Sequence, residues 1–209
     1  VGFLWKKRGT SCLHLEETHR IVKLFRLFCD LVPGNTLLVT ETNVPHKENI
    51  SYFGKGDDEA HVVYNFSLPP LILYTFLSGD VTKLCYWLST LRAPSPRCTF
   101  LNFTASHDGI GVRPLEGLVD EDELQEMIRR IQNAGGIVSM RDDPRRGERP
   151  YELNITYFDA VTAGLSNDSL KAGAFLASQA IMLFLPGIPA VYINSLFGME
   201  NWTEGVKST

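Results

Sequence analysis

Apolar positions along the chain switch between two spacings. Ile21, Leu24, Phe25 and Phe28 recur three and four residues apart, which lines one face of a helix. They predict a helix from Thr10 or Ser11, as its cap, to about Leu31, ended by Pro33-Gly34. Thr36-Leu37-Leu38-Val39-Thr40 runs without a polar break and predicts a strand buried on both faces that stops at Glu41. Residues 60–66 predict a second strand, followed by Pro69-Pro70 and a helix rich in Leu, Ile and Phe. A further helix carries Leu84, Trp87, Leu88 and Leu91, and Ala93-Pro94-Ser95-Pro96 breaks it. Residues 98–103 predict a third strand. Asp120 and Glu123 have capping-box spacing for a helix carrying Leu124, Met127, Ile128 and Ile131, and Gly135-Gly136 closes it. Residues 137–157 read as loop-rich, with room for a small hairpin. A helix over about 170–185 then leads through Pro186-Gly187-Ile188-Pro189 to a last strand, 190–194.

Alternation of strand and helix predicts an α/β protein with a parallel sheet. A doubly wound sheet and a (β/α)8 barrel compete. No glycine-rich GxGxxG follows any strand, which lowers the dinucleotide-binding version. Glu41 and Asp108 stand just past the C-terminal ends of strands, the face on which barrel active sites are built. Four strands are too few to close a barrel. No internal repeat suggests a solenoid. The chain opens on apolar residues without an initiator Met and stops after residues 204–209 without a finishing element, so the expectation is a chain cut at both ends.

Composition narrows the class. With 44% apolar and 21% charged residues in 209, the chain can bury a core and is not disordered. The net charge of -4 argues against a nucleic-acid partner. The one basic cluster, residues 141–149, also holds Asp142, Asp143 and Glu148 and reads as a mixed-charge loop. The most apolar run, 174–193, is broken by Ser178, Gln179, Pro186, Gly187 and Pro189, so no membrane span is expected. The basic residues Lys6-Lys7-Arg8 follow the apolar start, the wrong order for a signal peptide. Cys12, Cys29, Cys85 and Cys98 show no CxxC spacing and read as buried, reduced thiols, Cys29 and Cys85 within apolar helices; this suits a cytoplasmic protein. Six Asn-x-Ser/Thr sequons, several of them within predicted strands, read as chance. His14 and His19 do not have ligand spacing, so neither a metal nor a cofactor is expected.

Two carboxylates are candidates for chemistry. Glu41 can be a general acid and base at a barrel mouth, or a surface-loop glutamate. The polar stretch Thr40-Glu41-Thr42-Asn43-Val44-Pro45-His46 straight after a buried strand favours function. Asp108, beside His107, suits a sugar ring with neighbouring hydroxyls; Asp108-Gly109 can equally be a plain turn. Retaining glycoside chemistry also needs a nucleophilic carboxylate, and none stands in the right order here.

Several segments together resemble one family. Val1-Gly2-Phe3-Leu4-Trp5-Lys6 resembles the segment after the nucleophile in the sucrose phosphorylase branch of the α-amylase superfamily. Thr40 to His46 is similar to that branch's acid/base motif. Asn102-Phe103-Thr104-Ala105-Ser106-His107-Asp108-Gly109-Ile110-Gly111 is similar to the motif of its transition-state-stabilising aspartate. Pro150-Tyr151-Glu152-Leu153-Asn154 resembles the loop shaping its acceptor and phosphate site, and Gly187-Ile188-Pro189-Ala190-Val191-Tyr192 its last barrel strand. The resemblance covers nearly the whole chain in order. It implies one domain over 1–209: the C-terminal half of a (β/α)8 TIM-type barrel, from about the end of strand 4 to strand 8. The N-terminal half and any C-terminal β-domain would be absent.

It further implies a glycosyl phosphorylase acting on an α-glucoside and inorganic phosphate. Glu41 would be the acid/base and Asp108 the transition-state stabiliser, and the nucleophilic Asp would lie about two residues before Val1. His107, Phe3, Asn43, Arg149, Tyr151 and Glu152 would contact substrate. Alternatives are a hydrolase or transglucosylase on the same barrel, or an inactive fragment. Two departures stand out. Sucrose phosphorylases often carry Gln where Glu152 stands and Tyr where Phe3 stands. A carboxylate at Glu152 would repel an anion unless Arg149, Arg146 or another cation compensates. With Ser195-Leu196-Phe197-Gly198, this looks more like phosphorylases of glucosylglycerate or related glucosides than those of sucrose.

Overall fold

A computed structural model of the chain describes residues 1–143 and 147–208, so Arg146 lies outside the described residues. Four strands form one parallel sheet: β1 (Val39–Thr40), β2 (Val62–Tyr64), β3 (Thr99–Phe103) and β7 (Ile188–Ala190). They lie side by side in chain order. Val39 pairs Val62, Val63 pairs Phe100 and Asn102 pairs Pro189. Helices connect them: α1 (Glu16–Leu31) before β1, α2 (His46–Asn49) after it, α3 (Leu68–Ser78) and α4 (Thr82–Thr90) between β2 and β3. Between β3 and β7 come β4 (Ile110–Gly111), α5 (Glu121–Asn133), the hairpin β5 (Ile137–Asp143) and β6 (Gly147–Asn154), α6 (Tyr157–Val161) and α7 (Asp168–Phe184). Two short helices, α8 (Ile193–Leu196) and α9 (Thr203–Ser208), follow β7. This is the α/β fold with a parallel sheet that the alternation predicts.

The core is organised on α3, whose residues 68–74 are all buried. A helix apolar all round has to be buried on every side. Pro69 and Pro70 sit in its first turn, where backbone N–H groups have no partner inside the helix in any case. Gly79 ends it at φ +74°. Trp87, Leu115, Ile131, Leu153 and Met182 pack into the same cluster. A second cluster joins Val22 of α1 to Tyr52, Phe53, Val63 and Phe100. The capping box at α5 forms in both directions between Asp120 and Glu123.

Several boundaries differ from the sequence reading. α1 begins at Glu16 and not at Thr10 or Ser11, because Cys12 and His14 hold φ of +59° and +50°, outside helical space. β1 is two residues long, since the Leu38 N–H donates to Nδ1 of His61 at 2.9 Å and leaves the ladder. Nor is that run buried on both faces: Leu37 is 56% exposed and Val39 44%. β7 starts at Ile188, and a helix begins at Ile193 within the expected strand. Pro189, which has no N–H to donate, sits on a strand with a neighbour on one side. The loop-rich reading of residues 137–157 is the largest departure, because β5 and β6 form a long hairpin there and β4, from residues 110–111, joins it in a three-stranded antiparallel sheet of order β4-β6-β5. The four cysteines are free, and Cys85 is exposed and Cys29 half-buried. The buried face of α4 is Leu84 and Trp87, which turns Cys85 outward.

A polar spine crosses the sheet. Asn65 Nδ2 donates to Asn102 Oδ1 at 3.0 Å, and Asn102 Nδ2 donates to the Pro186 carbonyl at 3.1 Å. Gly187 makes room: at φ +139°, a Cβ there would fall 2.7 Å from Asn102 Nδ2. Among the described residues no helix is long and apolar enough to cross a membrane.

Candidate active site

Parallel strands put their C-terminal ends on one side of a sheet, where α/β proteins bind ligands. Glu41 follows Thr40 of β1 directly, and Asp108 stands five residues past Phe103 of β3. Both are exposed, while Thr40 and Thr42 on either side of Glu41 are buried. Burial of the flanking threonines leaves Glu41 on the open side of the loop. Its charge, after burial, helps hold the Tyr64 phenol of β2 above its ordinary pKa. The backbone nitrogen of Val1 donates to the Glu41 carbonyl at 3.0 Å, so the first residues rest against this loop.

The Asp108 backbone N–H donates to Ser106 Oγ at 3.2 Å. His107 Nε2 lies 3.6 Å from Asp108 Oδ1, with both side chains exposed. Sequence adjacency therefore becomes spatial pairing. The same ends of β3 and β7 share an open groove of about 290 Å³, lined by His107, Asp108, Asn154, Tyr192, Asn194 and Trp202.

The hairpin brings a third carboxylate to this side. Glu152 on β6 pairs with Gly111 of β4, and Asn43 Nδ2 donates to Glu152 Oε1 at 3.4 Å. Gly111 permits that reach, since a Cβ there would lie 2.5 Å from Asn43 Nδ2. Burial first, then the negative charge of Asp108, pushes the Glu152 carboxyl above the usual range, against the Asn43 hydrogen bond. Burial also raises the Tyr151 phenol, with Glu152 and Asp108 adding to it and Asn43 opposing. Asn43, Asp108, Tyr151 and Glu152 thus form one interacting set.

Arg149 and Phe3 are placed otherwise. Arg149 is bound to Glu121 in the first turn of α5, and Arg141 to Glu116 at 2.7 Å. The cations of the hairpin hold it to α5 and to the 3-10 turn Arg113–Leu115, and Arg149 is not the counter-charge of Glu152. Phe3 is exposed with Lys6 Nζ 4.7 Å from its ring centre.

Sequence reasoning missed Tyr64, Tyr192, Asn194, Arg113 and the pair His14–Glu48. Tyr192 and Asn194 carried a usable signal, being polar residues at the end of a strand, the same signal that marks Glu41. The others are recruited from distant segments and carry none. Among the described residues, no three or more His, Cys, Asp or Glu side chains are grouped to hold a metal ion.

No protein-family model matches the chain. It is 49% identical to glucosylglycerate phosphorylase of Escherichia coli over 207 residues, covering 99% of this chain and 37% of that protein. It is 54% identical to glucosylglycerate phosphorylase of Allomeiothermus silvanus over 211 residues, covering 100% and 38%. Among solved structures, sucrose 6F-phosphate phosphorylase from Thermoanaerobacter thermosaccharolyticum superposes with a TM-score of 0.83 at 26% identity, over 99% of this chain and 40% of that one. The chain spans about two fifths of the length of these relatives. Continuous similarity over nearly all its residues, in sequence and in fold, makes it a member of the sucrose phosphorylase-like branch of the α-amylase superfamily.

Proposed function

We propose that the chain is the C-terminal half of a (β/α)8 barrel in a retaining glycosyl phosphorylase, with β1, β2, β3 and β7 as its last four strands. The observation that carries the reading is the placement of Glu41 and Asp108 past the ends of strands in one parallel sheet, with the Asn43–Glu152 contact spanning from the Glu41 loop to the hairpin. In this reading the nucleophilic aspartate precedes Val1 in the longer protein, and the first residues bear on the Glu41 loop through Val1. Taken alone, the 209-residue chain then has no turnover.

The reaction is a double displacement. The glucosidic C–O bond breaks as the leaving oxygen takes the proton of Glu41, and the nucleophile forms a glucosyl ester. A phosphate oxygen then attacks the anomeric carbon and frees the carboxylate, giving α-glucose 1-phosphate with configuration retained. Phosphate is already an anion, so it needs less help from Glu41 as a base than water would. Asp108 and His107 hold the ring hydroxyls as the ring flattens. Asn43, Tyr151 and Glu152 line the leaving-group and phosphate side, and Arg149 supports that side through Glu121.

Glu152 points to the substrate. With Arg149 engaged elsewhere, burial and the nearby Asp108 charge disfavour its ionised form. Two relatives named glucosylglycerate phosphorylase are 49% and 54% identical to the chain. This favours glucosylglycerate over sucrose. The longer protein, given each sugar with and without phosphate, should release glucose 1-phosphate only with phosphate, faster from glucosylglycerate. Glu41→Gln should lower that rate by about 10²–10⁴-fold, the usual worth of acid–base catalysis. Free glucose formed irrespective of phosphate would sink the reading in favour of a hydrolase.

A further inference from the structure

Apart from the candidate catalytic groups, one histidine is held by groups from three separate segments. His14 sits at φ +50°, a conformation that a residue with a side chain keeps only where its surroundings enforce it. Its backbone N–H donates to the Gly2 carbonyl at 3.1 Å. Its Nδ1 is 2.8 Å from the Tyr52 hydroxyl, and its Nε2 is 3.0 Å from Glu48 Oε2. The same Glu48 oxygen lies 3.6 Å from Arg113 Nη2. Tyr52 is fully buried, and its other neighbour His19 stacks on it with ring centres 4.9 Å apart.

The hydrogen-bond inventory is consistent with one neutral tautomer: Nδ1 accepts from the Tyr52 O–H and Nε2–H donates to Glu48. Burial, chiefly, lowers the His14 pKa, with Arg113 and His19 adding to this and Glu48 opposing. The segments joined are specific ones. His14 reaches the Val1–Gly2 backbone, Glu48 lies in the helix just after the Glu41 loop, and Arg113 follows the strand just after Asp108. No sugar-facing role is open to His14, whose side chain is 15% exposed and has both nitrogens engaged.

We propose that His14 is a positioning residue, which through Glu48 and Arg113 fixes the first residues, the Glu41 loop and the Asp108 segment in a single arrangement. This rests on the phosphorylase reading, because it assigns those three segments to the nucleophile, the acid/base and the transition-state stabiliser. A misplacement of about 1 Å among reacting groups costs about 100-fold in rate.

The test uses the longer protein. His14→Asn tolerates a positive φ but cannot reach Glu48, and Glu48→Gln keeps an acceptor for the His14 Nε2–H. His14→Asn should lower kcat about 10- to 100-fold, with KM changed less than about twofold, the mark of an interaction used in the transition state. Glu48→Gln should retain most of kcat. Amide exchange in His14→Asn should speed up at residues 2–5 and 40–44 and stay unchanged in α3. Unchanged kcat, or a fall accompanied by faster exchange throughout the fold, overturns the proposal. If the unmodified protein makes no glucose 1-phosphate, it is the phosphorylase reading that has failed. Exchange then decides alone: local acceleration at residues 2–5 and 40–44 upholds the tether, and its absence overturns it.

Discussion

Glu152 carries a carboxylate into a half-buried place beside Asp108, with Asn43 as its hydrogen-bond donor. Its folded pKa is raised above the ordinary 4.5. The folded chain therefore keeps a proton there to higher pH than the unfolded chain does. The stability this contributes is present below pH 4.5 and is lost as pH rises through the raised value. Glu152→Gln keeps an oxygen for Asn43 and removes the titration. The variant should melt at the same temperature as the parent below pH 4.5, and higher than the parent at neutral pH. A thermal melt at each pH checks this, and a gap that does not widen with pH would show that neither burial nor the Asp108 charge raises the Glu152 pKa. The identity of residue 152 was legible in the sequence as a departure from the sucrose-type pattern. The rise of its pKa was not, because it depends on burial and on Asp108, against Asn43, which only the fold brings together.

At the scale of single elements, locally determined features were the readable ones. The capping box of α5 needs only Asp120 and Glu123, three residues apart, and it forms as read. The hairpin was underestimated because β6 depends on β4, about forty residues earlier, for its second neighbour. Strand ends were misplaced where a side chain takes a ladder N–H, as His61 does at Leu38. The α5 cap also gains tertiary partners: Lys83 Nζ at 2.9 Å and the Tyr74 hydroxyl at 2.7 Å bind Glu123. Chiefly through Lys83, these hold its carboxyl down at about 2. The sign is opposite to that of Glu152. The stabilisation is complete above the ordinary 4.5 and is lost as pH falls towards about 2. Glu123→Ala removes the N3 half of the capping box and the Lys83 ion pair and should cost on the order of 1 kcal/mol at neutral pH. Urea unfolding should show that deficit shrinking as pH falls below 4.5. A deficit independent of pH would mean that it comes from packing and not from the charge.

For the molecule as a whole, the informative feature is where apolar surface remains outside the core. The sheet ends at β1 and β7, each with a neighbour on one side. The helices leading into those strands both present large apolar side chains to solvent. On α1 these are Leu24, Phe25, Leu27, Phe28 and Leu31, and on α7 Leu176, Leu183 and Phe184, which is 90% exposed. Contiguous apolar patches on monomeric proteins usually mark contact surfaces, and unpaired strand edges invite pairing with another chain. A barrel closed by further strands would use both edges and cover both helix faces, which agrees with a match to about two fifths of each relative. The 209-residue chain expressed by itself should therefore bind a hydrophobic dye and elute as concentration-dependent aggregates. The longer protein should elute as a defined species with little dye bound. Light scattering during size exclusion distinguishes these. A monodisperse, dye-silent 209-residue chain would mean that the two edges need no further strands, and the half-barrel assignment would fall with them.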